Sequence, residues 1–382
     1  MPPAAPDSPA DAADAQRLPR TAVPTRYDLV IEPDLDEGVF VGRCSATVEV
    51  VEPTSALVLN AAELEVHGVR LEGPDEALLE PEAVELDEGA ERLTVRFGAP
   101  VPAGTWRLVV GYRGALNDKL RGFYRSTFTD DAGVEHVLAT TQFEATDARR
   151  AFPCWDEPDR KAVFGVTLVV PEGLTALSNA REVSRRARGD GRVEVCFADT
   201  PPMSTYLVAF VVGPLELTEP VVVDGIPLRV ACRPGRAHLT PFALEVGRFC
   251  LEFFADYYGI AYPGDKLDLV AIPDFAFGAM ENLGCVTFRE VLLLVDPDEV
   301  TRSELQHVAD VIAHELAHMW FGDLVTMKWW NGIWLNEAFA TFMEMLATDA
   351  FRPAWDRWTT FGVARSAALD VDALKSTRPV EY

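Results

Sequence analysis

The chain has 382 residues, of which 48% are apolar and 10% aromatic, and it carries a formal net charge of -26. That length and apolar content exclude a disordered chain and allow two or three packed domains. The acidic excess excludes nucleic-acid recognition, which needs a basic footprint on the phosphates.

The first twenty residues, MPPAAPDSPADAADAQRLPR, are rich in Ala, Pro and Asp and read as a solvated, disordered tail. They lack the basic start and apolar stretch of a secretory signal, and no later run is long enough to span a bilayer. From Thr25 the apolar residues recur at every second position: Tyr27, Leu29 and Ile31, then Cys44, Ala46, Val48 and Val50, then Trp106, Leu108, Val110 and Tyr112. Gly and Pro punctuate these runs, so the spacing predicts half-buried antiparallel strands up to about Leu217. Thr205–Val212 is apolar on both faces and reads as a central strand ended by Gly213-Pro214.

Beyond Leu217 the period lengthens. Leu239 to Tyr258 reads as a helix closed by Gly259, and Leu267 to Ile272 as a short buried strand. Ser303 to Phe321 reads as a helix with Ser303 as N-cap, Leu305, Val308, Ile312 and Leu316 as its core stripe, and Gly322 as C-cap. Asn336 to Ala350 follows with Phe339, Phe342, Met343 and Leu346 inward, then Ala354 to Leu369 with Trp355, Trp358 and Phe361. The expectation is an α+β multidomain protein: a tail over 1–20, a β domain over 21–217, and a mixed, helix-dominated domain over 218–382. The six cysteines are scattered without a C-x-x-C pair and read as thiols in a reducing compartment. A cytoplasmic protein without membrane or nucleic-acid partners is expected; its oligomeric state is not readable.

The chemistry is concentrated in His314-Glu315-Leu316-Ala317-His318, followed after eighteen residues by Glu337 in Trp334-Leu335-Asn336-Glu337. Residues four apart share a helix face, so His314 and His318 can present two imidazole nitrogens to one ion. A second helix supplies Glu337. Two His and one carboxylate leave a fourth position open to water, the pattern of catalytic rather than structural zinc. Glu315, one position round, can reach that water as general base without being a ligand. Asp323 and Glu344 are both candidates to orient a ligand imidazole. Trp329, Trp330 and Trp334 read as packing, and His307 as a surface or packing histidine.

Upstream lies Gly278-Ala279-Met280-Glu281-Asn282-Leu283-Gly284. With this motif the chain resembles the zinc aminopeptidase N family of gluzincins, a resemblance that also covers Thr141-Gln142-Phe143-Glu144 and Phe152-Pro153-Cys154-Trp155-Asp156-Glu157-Pro158. It implies a saddle-like N-terminal β-sheet domain followed by a thermolysin-like catalytic domain, with one Zn2+ per chain on His314, His318 and Glu337. It further implies peptide substrates with a free N-terminus. Glu281 and Glu144 would hold the α-ammonium, with Gln142, Gly278, Ala279, Met280 and Asn282 shaping the substrate site. The physical reason is that an exopeptidase must recognise the one charge unique to the chain end, and a fixed carboxylate does so by a charge-assisted hydrogen bond. Gly278 and Gly284 are expected to let backbone approach backbone, with an extended edge there pairing with substrate. Leu283 stands where many relatives carry an aromatic residue, which bears on side-chain preference.

The family's catalytic tyrosine lies farther downstream, and no tyrosine occurs between Tyr262 and Tyr382. The chain is therefore expected to be the N-terminal part of a larger aminopeptidase, its catalytic domain incomplete and its activity reduced or lost. Three other readings stand beside it: a zinc endopeptidase, which has no use for an amine anchor; a silent peptide-binding relative, which an intact Glu315 disfavours; and a bifunctional epoxide hydrolase.

Overall fold

The computed structural model describes residues 16–74 and 77–380. Period-two patterning becomes strands with one face inward. In Ala22–Asp34 the side chains of Tyr27, Leu29 and Ile31 are buried, and the antiparallel neighbour Val39–Val50 adds Cys44, Ala46, Val48 and Val50. Gly104–Ala115 pairs with the second of these and contributes Trp106, Leu108, Val110 and Tyr112. These strands lie within an eight-stranded sheet. A four-stranded sheet has the order Thr175–Ser178, Phe210–Gly213, Glu135–Gln142, Gly122–Thr129, and a three-stranded sheet comprises Thr54–Asn60, Arg92–Val101 and Ala83–Asp87. Aromatic rings join them: Tyr27 stacks on Phe164 at 5.0 Å, and Phe152 meets Tyr27, Phe143 and Phe210 at 6.0–6.4 Å. Each such pair adds about 0.5–1.5 kcal/mol beyond the area it buries.

A fourth sheet is built from later residues, in the order Glu216–Leu217, Ile226–Cys232, Leu267–Ile272, Cys285–Arg289, Ala279–Met280. The middle three strands are parallel, and Leu267–Ile272 is buried along its whole length, as expected of a strand covered on both faces. Four helices accompany it: α1 (Pro241–Tyr258), α2 (Arg302–His318), α3 (Trp334–Phe351) and α4 (Arg357–Asp372). Helix α1 starts on Pro241, suited to a first helical position, and ends on the left-handed Gly259. The protein is thus α+β, with multiple antiparallel sheets followed by a mixed, helical part.

Several expectations are corrected. The expected disordered tail of residues 1–20 lies largely outside the described residues, but its end is anchored: Leu18 is buried, and Arg17 pairs with Glu157 and Asp159 and lies 4.2 Å over the Trp329 ring. The first strand's partner Val163–Pro171 is parallel, a long-range register that local alternation does not encode. Thr205–Val212 is not one strand: Thr205–Leu207 is a 3-10 turn, and the strand begins at Phe210, although the segment is buried throughout. Helix α2 is capped by Thr301 rather than Ser303, through a capping box with Glu304, and it ends at His318 rather than running on to Gly322. On α3, Met343 is buried but Phe339 and Phe342 are 39% and 40% exposed, so the predicted inward stripe is turned partly to solvent.

Candidate metal centre and substrate cleft

Helix α2 places Leu305, Val308, Ile312 and Leu316 in the core, and its remaining face carries His314 and His318 one turn apart, ring centroids 4.7 Å from each other. Helix α3 brings Glu337 in its first turn against them. The His314 and His318 Nε2 atoms are 3.0 Å apart, and Glu337 lies 3.4 Å from the first and 3.7 Å from the second. Four-coordinate bonds of ~2.0–2.1 Å at tetrahedral angles require donor separations of roughly 3.3 Å, so this donor set fits one metal ion.

The outer nitrogens settle which imidazole atoms are free. His314 Nδ1 lies 2.9 Å from Glu344 Oε2, and His318 Nδ1 lies 2.9 Å from the Phe321 carbonyl. Both partners accept only, so each Nδ1 carries the proton and both Nε2 lone pairs face inward. Two lone pairs and a carboxylate facing each other repel unless a cation lies between them. Without an ion a proton takes that place. Burial alone would lower the His314 imidazole, but hydrogen bonding to Glu337 and Glu344 overrides it and pushes it up to about 10. His318, fully buried beside that charge, falls to about 4. Of the two proposed orienting acids, Glu344 meets a ligand imidazole; Asp323 is buried with neither carboxylate oxygen hydrogen-bonded, and the carbonyl of Phe321 holds His318 instead.

Glu315 is buried on the same cleft, where burial and the Glu337 and Glu144 charges, against the opposing pull of His314, raise its carboxyl to about 8. Glu144 arrives from the segment after the strand Glu135–Gln142, and Glu281 from the turn after Ala279–Met280. Carboxylate oxygens of Glu144, Glu281 and Glu337 all lie within 4.8 Å of one another. Burial and the Glu337 charge raise Glu144 to about 7; burial and Glu144 raise Glu281 well above the usual carboxylate range. Glu281 Oε1 is buried without a hydrogen-bond partner. A crowd of mutually repelling carboxylates with an unsatisfied oxygen is a site for a cation with hydrogens to donate.

These groups line a cleft of about 370 Å³, together with Gly278, Ala279, His307, Asp310 and Val311. Ala279–Met280 is the edge strand of the fourth sheet, hydrogen-bonded on one side only, to Cys285–Arg289. Gln142 and Met280 lie behind the cleft wall, the Gln142 amide donating to Met280 Sδ at 3.3 Å while its Oε1 has no partner. Asn282 is buried and donates to Thr287 Oγ1 at 3.2 Å, supporting the turn rather than lining the cleft. Gly284, at φ +76°, is where backbones meet: a Cβ there would lie 2.1 Å from the Asn179 carbonyl oxygen. Gly278 has no such neighbour, its nearest being Leu292 Cδ1 at 3.5 Å. His307 is exposed on the cleft wall. Its placement seven residues before His314 was the available signal. Trp330 packs edge-on to Tyr206 at 5.4 Å, while Trp334 is exposed.

The description of the peptidase M1 N-terminal domain matches residues 23–207, and that of the peptidase family M1 domain matches residues 242–382. The chain is similar to Aminopeptidase M1 of Arabidopsis thaliana, 46% identical over 369 residues that cover 96% of this chain and 42% of the relative. It is similar to the puromycin-sensitive aminopeptidase of Caenorhabditis elegans, 42% identical over 98% of this chain and 40% of the relative. It is also similar to the alanine/arginine aminopeptidase of Saccharomyces cerevisiae, 40% identical over 95% of this chain and 42% of the relative. The chain thus spans about two-fifths of the length of the curated relatives it matches.

Proposed function

The chain belongs to the M1 peptidase family, and from that premise we propose that it is a zinc metalloaminopeptidase that removes N-terminal residues from peptides. In this reading one zinc ion is held by His314, His318 and Glu337. Bound there, zinc supplies Lewis acidity, acidifying water and polarising the scissile carbonyl. Glu315, buried on the cleft beside the ligands, takes a proton from the attacking water and returns it to the leaving amine. Glu344 and the Phe321 carbonyl keep both ligand imidazoles in the binding tautomer.

The observation that carries the exopeptidase reading is the meeting of Glu144 and Glu281 beside Glu337. The substrate's α-ammonium satisfies the unpartnered Glu281 Oε1 and relieves the repulsion among the three acids, with Ala279–Met280 offering its free edge to the peptide backbone. The relatives, named as aminopeptidases, support the same activity. The described residues hold no helix long and apolar enough to cross a membrane, and six unpaired thiols support a cytoplasmic, reducing location.

A panel of aminoacyl chromogenic amides, each paired with its N-acetylated form, tests this reading on the zinc-loaded full-length enzyme. Hydrolysis of the free amines alone is expected. Equal cleavage of blocked and free substrates would instead make the protein an endopeptidase.

A further inference from the structure

The turn that follows the histidine helix carries the carbonyl that orients one of the two imidazoles. His318 is held by the Phe321 carbonyl, and the next residue, Gly322, sits at φ +141°. A side chain would be strained at that φ, and its Cβ would sit tightly, 3.2 Å from His318 Nδ1 and 3.3 Å from the His318 carbonyl oxygen. The Phe321–Gly322 peptide that orients the imidazole is held within the turn by the Gly322 N–H, which donates to the Val325 carbonyl at 2.8 Å. What the turn's own bonds do not fix is its position relative to the first turn of α3, which carries Glu337.

Within the turn Thr326 Oγ1 donates to the Gly322 carbonyl, and two side chains from the segments preceding the fourth sheet tie the turn to its surroundings. The buried Tyr206 hydroxyl donates to the Gly322 carbonyl at 3.3 Å and accepts from Asn336 Nδ2 at 3.2 Å. Asn336 is the residue before Glu337. One hydroxyl therefore touches both ligand-bearing segments, the turn after His318 and the first turn of α3. Lys161 Nζ donates to the Asp323 and Leu324 carbonyls at 2.8 and 3.0 Å, gripping the same turn from its outer side. Neither residue lines the metal cleft.

We propose that Tyr206, assisted by Lys161, is a positioning residue that fixes His318 and Glu337 relative to each other from the N-terminal β-sheet part of the chain. The inference rests on the zinc reading of the three ligands. It makes metal retention depend on the junction between the two parts of the molecule, not on the helices α2 and α3 alone. Loss of the hydroxyl removes the one group that bonds both the Gly322 carbonyl and Asn336 Nδ2, so the turn and the start of α3 can shift relative to each other and the ligand set loosens, while the ring of residue 206 still fills its place against Trp330.

The test is the rate of zinc release to excess chelator from the 382-residue chain, with the visible absorption of its cobalt(II) form as a second readout. Tyr206→Phe is compared with Tyr112→Phe, which removes a buried hydroxyl that has no partner and lies in the eight-stranded sheet. Tyr206→Phe is expected to release zinc about 10-fold faster, the lower end of what outer-sphere partners of metal ligands contribute, and to change the cobalt spectrum. Tyr112→Phe should do neither. Lys161→Met, at a half-buried position that keeps most of its aliphatic stem, carries the test if Tyr206→Phe does not fold; about 3-fold faster release is expected. Unchanged release and spectrum in the folded variants, even with a lowered melting temperature, would overturn the inference and leave the zinc reading standing. Absence of stoichiometric zinc in the unaltered chain would remove both.

Discussion

The Glu344 carboxylate lies 2.9 Å from His314 Nδ1, one turn-pair along α3 from the Glu337 carboxylate that faces the same ring's Nε2. A single helix thus addresses both nitrogens of one imidazole, supplying a ligand on one side and a tautomer lock on the other. Glu344→Gln keeps the shape but turns a charged acceptor into a neutral group that can also present a donor. Zinc affinity is expected to fall by about 10–100-fold, the usual cost of losing such a partner. Competition with a chromophoric chelator measures it, and an unchanged dissociation constant would remove Glu344 from this role.

Glu315 makes no hydrogen bond to either imidazole, yet it is buried on the cleft beside them. In Glu315→Gln the ligand set is untouched, so zinc should bind with unchanged stoichiometry while turnover of the full-length enzyme drops on the order of 10²–10⁴. Metal analysis and amide hydrolysis on the same preparation separate the two effects. Retained turnover would exclude Glu315 as the base.

What could be read in the sequence was whatever depends on short-range spacing. His314 and His318 share a face because helical geometry requires it, and Glu337 sits at a recognisable distance beyond them. The choice between Asp323 and Glu344 was not open to that argument. It depends on which way α3 packs against α2, and Asp323 lies past the helix end in a turn that faces Lys161. Similarly, an amphipathic stripe does not say how deeply it is covered, and Phe339 and Phe342 came out partly exposed. Thr205–Val212 misled for a physical reason: a segment buried on every side looks like a central strand whether or not its backbone is extended. Here the 3-10 turn serves to carry the Tyr206 hydroxyl to Gly322 and Thr205 Oγ1 to Asp156 Oδ1 at 2.7 Å.

The metal-free chain should lose stability as pH rises. Glu144 and Glu315 have their carboxyls raised to about 7 and about 8, and Glu281 lies well above the usual range, all mainly through burial. Groups raised on folding stabilise fully below their unfolded value, about 4.3 for a glutamate, and that contribution is lost as pH climbs through the folded value. His314, pushed up to about 10, adds to the loss above pH ~6.5. His318, lowered to about 4, works the other way but only below its unfolded value of about 6.5. The steepest decline is therefore expected between about pH 6.5 and 8. Zinc needs deprotonated ligands, so the gap between zinc-loaded and metal-free melting temperatures should widen over the same interval. Parallel profiles with and without zinc would contradict this account of the cluster.

Two glycines of one motif should respond differently to the same substitution. Gly284 combines φ +76° with a Cβ position 2.1 Å from the Asn179 carbonyl oxygen, and Asn179 is itself held, its amide donating to Leu207 and Leu283 carbonyls at 2.7 and 2.9 Å. Neither backbone can yield without breaking buried hydrogen bonds, so Gly284→Ala adds left-handed strain to a hard clash. A loss on the order of 3 kcal/mol is expected, seen as a melting temperature lower by about 5 °C or more. Gly278 has neither feature: its φ is ordinary and a methyl group would meet only Leu292 Cδ1 at 3.5 Å. Gly278→Ala should therefore leave the melting temperature within about 1 °C. It lines the cleft next to the Ala279–Met280 edge, so its effect should appear in KM for peptide substrates. Equal destabilisation by the two substitutions would show that the contact between Gly284 and Asn179 is not what demands glycine in this turn.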